Sequence, residues 1–366
     1  QGRLYLNDGK GHFTRAEGAI PSFSLSASCV KAADIDGDGD LDLFIGGRVV
    51  PGKYPLSPGS RILLNDGKGH FTDATATVAP LLEKIGMVTD AVWIDLDKDG
   101  KKDLVLVGEW MPVTVLLNKG GKLEDATAKY IHFPSTGWWN RILAADLDGD
   151  GDLDLVLGNQ GLNNQFKSGP NQPLSLYYKD FNHNGRIDPI FCYYIGDTSY
   201  PAASRDDLTG EIPLLKKKFL EYHSYADATI NDLFSPAELA EAGKLTADVL
   251  GSVWLENKGD SGFALHPLPI EAQYGPVYAI AAEDIDGDGK IDLVLAGGNQ
   301  WTRIRFGRYR ANHGVLLLND GKGGFRYVPQ FRSGLDLRGD IRGVLDLSPK
   351  KLLFGVNDGP SRIYRY

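Results

Sequence analysis

Five stretches of this chain place oxygen-bearing side chains at alternate positions of a nine-residue loop. The first reads Asp34-Ile-Asp36-Gly-Asp38-Gly-Asp40-Leu-Asp42. Positions one, three, five and nine are filled again by Asp95, Asp97, Asp99 and Asp103; by Asp146, Asp148, Asp150 and Asp154; by Asp180, Asn182, Asn184 and Asp188; and by Asp284, Asp286, Asp288 and Asp292. Such a set suits a hard cation, since Ca²⁺ takes six to eight oxygens at about 2.3–2.6 Å from a tight loop. Position six is Gly in every copy, which permits the positive φ of the turn. Position seven varies (Asp40, Lys101, Asp152, Arg186, Lys290), as expected of a residue that offers its backbone carbonyl. About five structural Ca²⁺ sites are therefore expected, the Asp180–Asp188 copy being weakest because two amides replace carboxylates.

These loops are not EF-hands, which close with a bidentate Glu at position twelve between two helices. Position twelve here is Ile45, Leu106, Leu157, Phe191 or Leu295. Each loop is instead followed by an apolar run with strand character, so the elements that position the ligands are strands.

A second motif runs in phase with the first. Apolar residues flank a tight turn at Leu63-Leu-Asn-Asp-Gly-Lys-Gly-His-Phe71 and Leu317-Leu-Asn-Asp-Gly-Lys-Gly-Gly-Phe325, with variants at residues 4–13, 116–123 and 254–263. Asn-Asp-Gly between apolar runs signals a hairpin. Each unit then has four strands, with the acidic loop between strands one and two and the hairpin turn between strands three and four. Units start near residues 25, 87, 137, 180, 275 and 337. Four-stranded units at such spacing predict an all-β fold, a β-propeller of seven blades, or of six closed by the N-terminal strands. The propeller is expected to occupy residues 1–366 as a single domain, with an incomplete first blade. Residues 197–250 break the pattern and read as a helical insertion within one blade. Ser235-Pro236-Ala237-Glu238 is a capping box with Pro at the first helical position.

The paired motifs resemble the FG-GAP/VCBS repeat family, which includes the propellers of integrin α-subunits and large bacterial secreted proteins. The pattern is most similar to bacterial VCBS-repeat proteins of the ASPIC/UnbV type. The resemblance implies a calcium-binding interaction module, secreted or at a cell surface.

Bulk properties agree with a folded chain, with 42% hydrophobic and 24% charged residues. The formal charge is −9, yet the five loops alone carry 20 Asp, so five Ca²⁺ would bring the total to +1. This acidity is ligand supply, and it argues against a nucleic-acid partner, which needs a basic footprint. Cys29 and Cys192 read as buried free thiols. No run of 18 apolar residues could span a membrane. Sites of this type fill where calcium is near millimolar, which points to an extracellular, cell-surface or periplasmic protein of bacterial kind. Gln1 reads as a processing point of a longer precursor.

Propeller geometry sorts the loops onto two faces. Calcium loops and Asn-Asp-Gly turns share one face; loops between strands two and three, and links between blades, share the other. The second set is long and irregular, and binding residues collect on such loops. Candidate ligand-binding residues there are Arg48, Glu109, Trp110, Trp138, Trp139, Asn140, Arg141, Asn159, Gln160, Asn299, Gln300, Trp301, Arg303 and Arg305. Trp and Arg are enriched at binding hot spots, and aromatic faces flanked by amides suit sugar rings. Strand alternation points Trp138 and Trp139 opposite ways, so one of the pair is expected to pack between blades. A glycan or a protein partner, within a larger surface assembly, is the expected ligand. The competing class is a polysaccharide hydrolase or lyase with its site in the funnel. Its candidate groups are Glu109, Asp358, His223 and Arg48, while Gly-x-Ser-x-Gly and His-Glu-x-x-His motifs are missing.

Overall fold

A computed structural model describes residues 2–347 and 349–366. Gln1, read above as a processing point, lies outside the described residues. No described helix is long and apolar enough to cross a membrane.

The molecule is built from antiparallel sheets that succeed one another like blades. Blade I pairs Ser26–Ala33, Asp42–Val49, Arg61–Asn65 and Phe71–Asp73 in sequence order. Blade II pairs Met87–Ile94, Asp103–Met111, Thr114–Asn118 and Leu123–Asp125, and Gly137–Trp138 adds to the end of its second strand. Blade III pairs Arg141–Ala145, Asp154–Gly158, Val253–Asn257 and Phe263–Pro267. Blade IV pairs Ala279–Glu283, Asp292–Ala296, Val315–Asn319 and Phe325–Val328. Blade V has three strands, Asp340–Asp346, Lys351–Asn357 and Arg362–Arg365. An N-terminal hairpin pairs Leu4–Asn7 with Phe13–Ala16.

The cores lie between blades, and strand alternation explains how one strand serves two of them. In blade II, Leu104 and Leu106 pack toward blade I, alongside Phe44 and Ile62. Val105 and Val107, pointing the other way, pack toward blade III with Ile142, Leu155 and Leu157. Val156 then faces blade IV with Leu293 and Leu295, and Val294 and Ala296 face blade V with Ile341 and Phe354. A second strand buried on both faces reads as the continuous apolar run seen in the sequence.

One reading of the repeats is corrected here. The unit starting near residue 180 is not a successor of blade III; it is inserted inside it. Leu155, Val156 and Leu157 pair with Leu255, Trp254 and Val253, so the hairpin at 254–263 completes the unit that begins near 137. The intervening segment forms a sheet of its own, Thr198–Pro201, Asp188–Ile195, Leu174–Lys179 and Gly243–Ala247 in spatial order. The helices expected in 197–250 belong to this sheet: Arg205–Glu211, Tyr222–Ala226, Ile230–Leu233 and Pro236–Ala240. Ser204, Thr229 and Ser235 cap three of them in capping boxes. Leu208, Leu215, Phe219 and Phe234 pack on Phe181, Ile190 and Cys192, giving the insert a separate core. The described sheets number seven only when this insert is counted, so the seven-blade expectation does not follow from the sheet count.

Candidate functional site

The acidic loops close each first strand onto its second. The ninth residue is the keystone, and its geometry recurs. Asp42, Asp103, Asp154 and Asp292 are at most 1% exposed. In each, one carboxylate oxygen accepts from the backbone N–H of loop position two: Ile35, Leu96, Leu147 and Ile285 donate at 2.8–3.0 Å. The other oxygen accepts from the N–H of the hairpin Asn: Asn65, Asn118, Asn257 and Asn319, at 2.7–2.9 Å. This clamp is why the two sequence motifs run in phase. The Asn side chains extend it across blades. Asn118 Nδ2 of blade II donates to Ile35 O of blade I at 2.8 Å, and Asn319 Nδ2 of blade IV to Leu147 O of blade III at 2.6 Å.

Carboxylate oxygens converge to within 4.8 Å of one another in four loops: Asp34, Asp36 and Asp42; Asp95, Asp97 and Asp99; Asp146, Asp148 and Asp154; Asp284, Asp286 and Asp292. Burial pushes Asp154 up to about 6 and raises Asp42, Asp103 and Asp292 in the same direction. Oxygens Oδ1 of Asp40, Asp95 and Asp97 are buried without a hydrogen-bond partner. Crowded carboxylates with buried, unpartnered oxygens fit a hard divalent cation, which would lift both costs. In the loop Asp180–Asp188, Asp180 oxygens accept from Asn184 and Gly185 N–H, and Asn182 Nδ2 is turned outward to Glu211 O. No three-carboxylate group forms there among the described residues, since positions three and five are Asn182 and Asn184.

On the opposite face, where first strands begin and second strands end, lies a cavity of about 820 Å³. One position per blade points into it: Ser28, Thr89, Asn140, Tyr278 and Arg342. The first four each stand six residues before the first Asp of their acidic loop. Ser28, Thr89 and Arg342 sit where the register between strands one and two slips, between Ala27 and Cys29, Val88 and Asp90, and Ile341 and Gly343. A bulge re-aims its side chain, here toward the axis shared by the blades. Asn140 and Tyr278 occupy the same place just ahead of their strands, their N–H groups bonded to Gly158 O and Ala296 O.

Second-strand ends supply the rest of the wall. Arg48 and Glu109 form an ion pair, and Tyr54 donates its hydroxyl to Glu109 Oε1 at 2.7 Å. Trp110 Nε1 donates to Tyr54 Oη at 2.8 Å. Burial, then the Glu109 charge, raises the Tyr54 hydroxyl far above the usual tyrosine range, so it stays a donor. Trp110 adopts a left-handed φ of 59°, an uncommon conformation for a bulky residue that turns its ring into the wall. The inserted sheet covers this side. Phe166 and Phe191 pack edge-to-face on Trp138 and Trp110, with ring centroids 5.9 and 6.0 Å apart, and Phe306 of the blade IV loop joins Phe166 at 5.3 Å. Arg305 of that loop pairs with Asp207 on the first helix of the insert.

Of the candidates named from the sequence, Arg48, Glu109, Trp110, Trp138, Asn140, Gln160, Asn299, Arg303 and Arg305 line this cavity. Five do not. Trp139 is 1% exposed and packs between blades II and III, its Nε1 donating to Ser135 O. Arg141 turns to Asp90, a buried carboxylate that also meets Lys31 at 2.8 Å. Asn159 is buried and ties Val249 O. Gln300 gives its N–H to Asp340, and Trp301 is 79% exposed outside the cavity. Asp358 lies in the last hairpin and His223 on an exposed helix, neither at the cavity. Tyr54, Phe166, Tyr278 and Arg342 were missed, although the fixed offset from the acidic loop marks Tyr278. Cys29 and Cys192 are free, with thiols pushed up by burial to about 11 and about 12.

The FG-GAP-like repeat family matches residues 1–45 and 95–157, the segments that carry the N-terminal hairpin with the first acidic loop and the second and third loops. These two segments are FG-GAP-like repeats. Among curated proteins, none matches the sequence. Solved structures similar to this chain include an Agrocybe aegerita lectin that recognises non-reducing terminal N-acetylglucosamine, 18% identical, covering 98% of this chain and 87% of the lectin at a TM-score of 0.36. An exotype rhamnogalacturonan lyase, YesX, is 14% identical over 93% of this chain and 55% of its own, also at 0.36. The V. cholerae biofilm matrix protein Bap1 is 12% identical over 90% and 74%, at 0.25.

Proposed function

We propose that this FG-GAP-like repeat protein is an extracellular, calcium-stabilised binding module that takes a glycan in the capped funnel. The observation that carries the reading is the make-up of the cavity: an aromatic wall from Trp110, Trp138, Phe166 and Phe191 beside polar groups from five blades. Sugar rings offer C–H faces to such rings and hydroxyls to such polar groups, and pockets of this volume bury most of a small ligand. Calcium in the acidic loops acts at a distance, by fixing the strands whose other ends line the funnel.

A glycan-array screen in millimolar calcium, followed by calorimetry on hits, tests the reading. Binding that Asn140→Ala weakens without change in the melting temperature, and that Arg48→Ala also weakens, is expected. Clean absence of glycan binding by folded protein would overturn it and shift the weight to a protein partner on the insert. A polysaccharide-active enzyme is the second reading, favoured by the one carboxylate on the wall, Glu109, with a tyrosine hydroxyl on it. Turnover of a bound polysaccharide, abolished in Glu109→Gln with binding retained, would establish that reading instead.

A further inference from the structure

The funnel of this acidic protein is positively charged. Four arginines line it, Arg48, Arg303, Arg305 and Arg342, against one carboxylate, Glu109. Glu109 is matched by Arg48, and Asp207 by Arg305. Arg342 lies 3.5 Å from the buried Asp340, with its guanidinium 4.0 Å over the Tyr278 ring. Arg303 is left with no ion-pair partner among the described residues. Lys31 and Arg141 share the single charge of Asp90 behind the wall, which adds a second excess positive charge. Trp138 Nε1 and Asn140 Nδ2 are buried without a hydrogen-bond partner, and a buried donor left unpaired is costly.

We infer that the glycan taken by the funnel carries a carboxylate, as a uronate-type sugar does, and that Arg303 is the residue that reads it. This rests on the glycan-binding reading above. An excess of cations selects a ligand bearing negative charge. The planar guanidinium fork of Arg303 matches a planar carboxylate through two parallel N–H···O bonds, and its exposure at the rim leaves the fork open to an incoming ligand. The ordinary alternative, an arginine that merely keeps the rim solvated, predicts no dependence on ligand charge. The geometry also explains why the positive groups persist here while the chain as a whole carries −9: the acidic residues are concentrated at the other ends of the strands.

The test is calorimetry on the calcium-loaded full chain with a trigalacturonate, its carboxyl-reduced neutral counterpart and a sulfated trisaccharide. Trigalacturonate is expected to bind at least about 10-fold more tightly than the neutral sugar, since a charge-assisted pair is lost with the carboxylate. Arg303→Ala should abolish that preference, and Arg303→Lys should keep only part of it, because charge remains and the fork does not. The preference should shrink with added salt. Equal binding of neutral and acidic sugars would overturn the inference while leaving the glycan reading intact. Equal binding of the sulfated sugar, with the same sensitivity to Arg303→Lys, would overturn carboxylate recognition. Failure of all three sugars, and of every glycan on the array, would instead overturn the glycan reading beneath it.

Discussion

The proposed calcium in the acidic loops is tested by its removal, which separates two roles that the loop carboxylates would combine. At ~1 mM Ca²⁺ and a Kd of ~0.1 mM, each filled site stabilises the folded chain by RT ln(1 + 10), about 1.4 kcal/mol. The four converging carboxylate groups together contribute ~5–6 kcal/mol on that basis. An unfolding entropy of ~2.1 cal/mol/K per residue gives ~0.8 kcal/mol/K for 366 residues, so chelation should lower the melting temperature by ~7 °C. Differential scanning calorimetry in EGTA, with calcium added back in steps, reads this directly. Two variants of the blade IV loop divide the effect. Asp286 is exposed, and its Oδ1 accepts from Asp288 N–H at 3.1 Å, a bond that an asparagine side-chain oxygen would also accept. Asp286→Asn should therefore cost ~2 °C in calcium and nothing in EGTA. Asp292 accepts from Ile285 and Asn319 N–H with its two oxygens. Asp292→Asn sets an amide N–H₂ against one of those donors and should destabilise by ~1–3 kcal/mol in EGTA as well. A wild-type melt that EGTA leaves unchanged, or an Asp286→Asn penalty that persists in EGTA, would refute the reasoning.

Other substitutions test the packing. Asn118→Ala removes the hydrogen bond from blade II to Ile35 O of blade I and leaves a buried carbonyl unpaired; a loss of ~1–3 kcal/mol in denaturant midpoint is expected. Trp139→Ala, at a site 1% exposed between blades II and III, should cost ~3–5 kcal/mol, read in the same titration. At pH 8, burial that raises Cys29 from 9.0 to about 11 cuts its thiolate fraction about 100-fold. Thiol-reactive dye should accordingly label both cysteines slowly in native buffer and rapidly in guanidinium chloride; fast native labelling would contradict their placement.

The acidic loops, the hairpins and the propeller-like order of the sheets were legible because each rests on a local rule: carboxylate spacing, Asn-Asp-Gly turns, strand alternation. The insert was misplaced because residues 174–195 fit the same local template as a blade, strand, acidic loop and strand. What separates them is long-range. The strand paired with Asp188–Ile195, Thr198–Pro201, reaches back only to Cys192 and carries no Asn-Asp-Gly turn, so Asp188 lacks the hairpin clamp that the other ninth residues share. That missing partner is a signal in the sequence, but its meaning depends on pairings across 103 residues, as from Asn257 to Asp154. The funnel was half legible for the same reason. Residues at second-strand ends, such as Arg48 and Glu109, follow from the blade template. Tyr54, Phe166 and Phe306 come from irregular loops whose course no periodicity fixes.

The two faces of the blades are coupled through their strands, and this assigns the insert its place. The segment between Gly158 and Val253 must leave and re-enter blade III at the end of its second strand, on the funnel side. Its return is pinned there: Gly137 bridges Val249, Asn159 Nδ2 holds Val249 O at 2.9 Å, and Gly161 N–H holds Leu250 O at 2.8 Å. Its far side is tied to blade IV by Asp207 and Arg305. A cap anchored on neighbouring blades rather than one hinge can shape a cavity without having to swing. The same insertion on the other face would have to break the clamp in which the ninth Asp of a blade engages both oxygens. Elaboration lies on the funnel side, where the inward residue of each blade is free to differ: Ser28, Thr89, Asn140, Tyr278 and Arg342 occupy equivalent places at the start of their strands and present hydroxyl, amide, phenol and guanidinium groups.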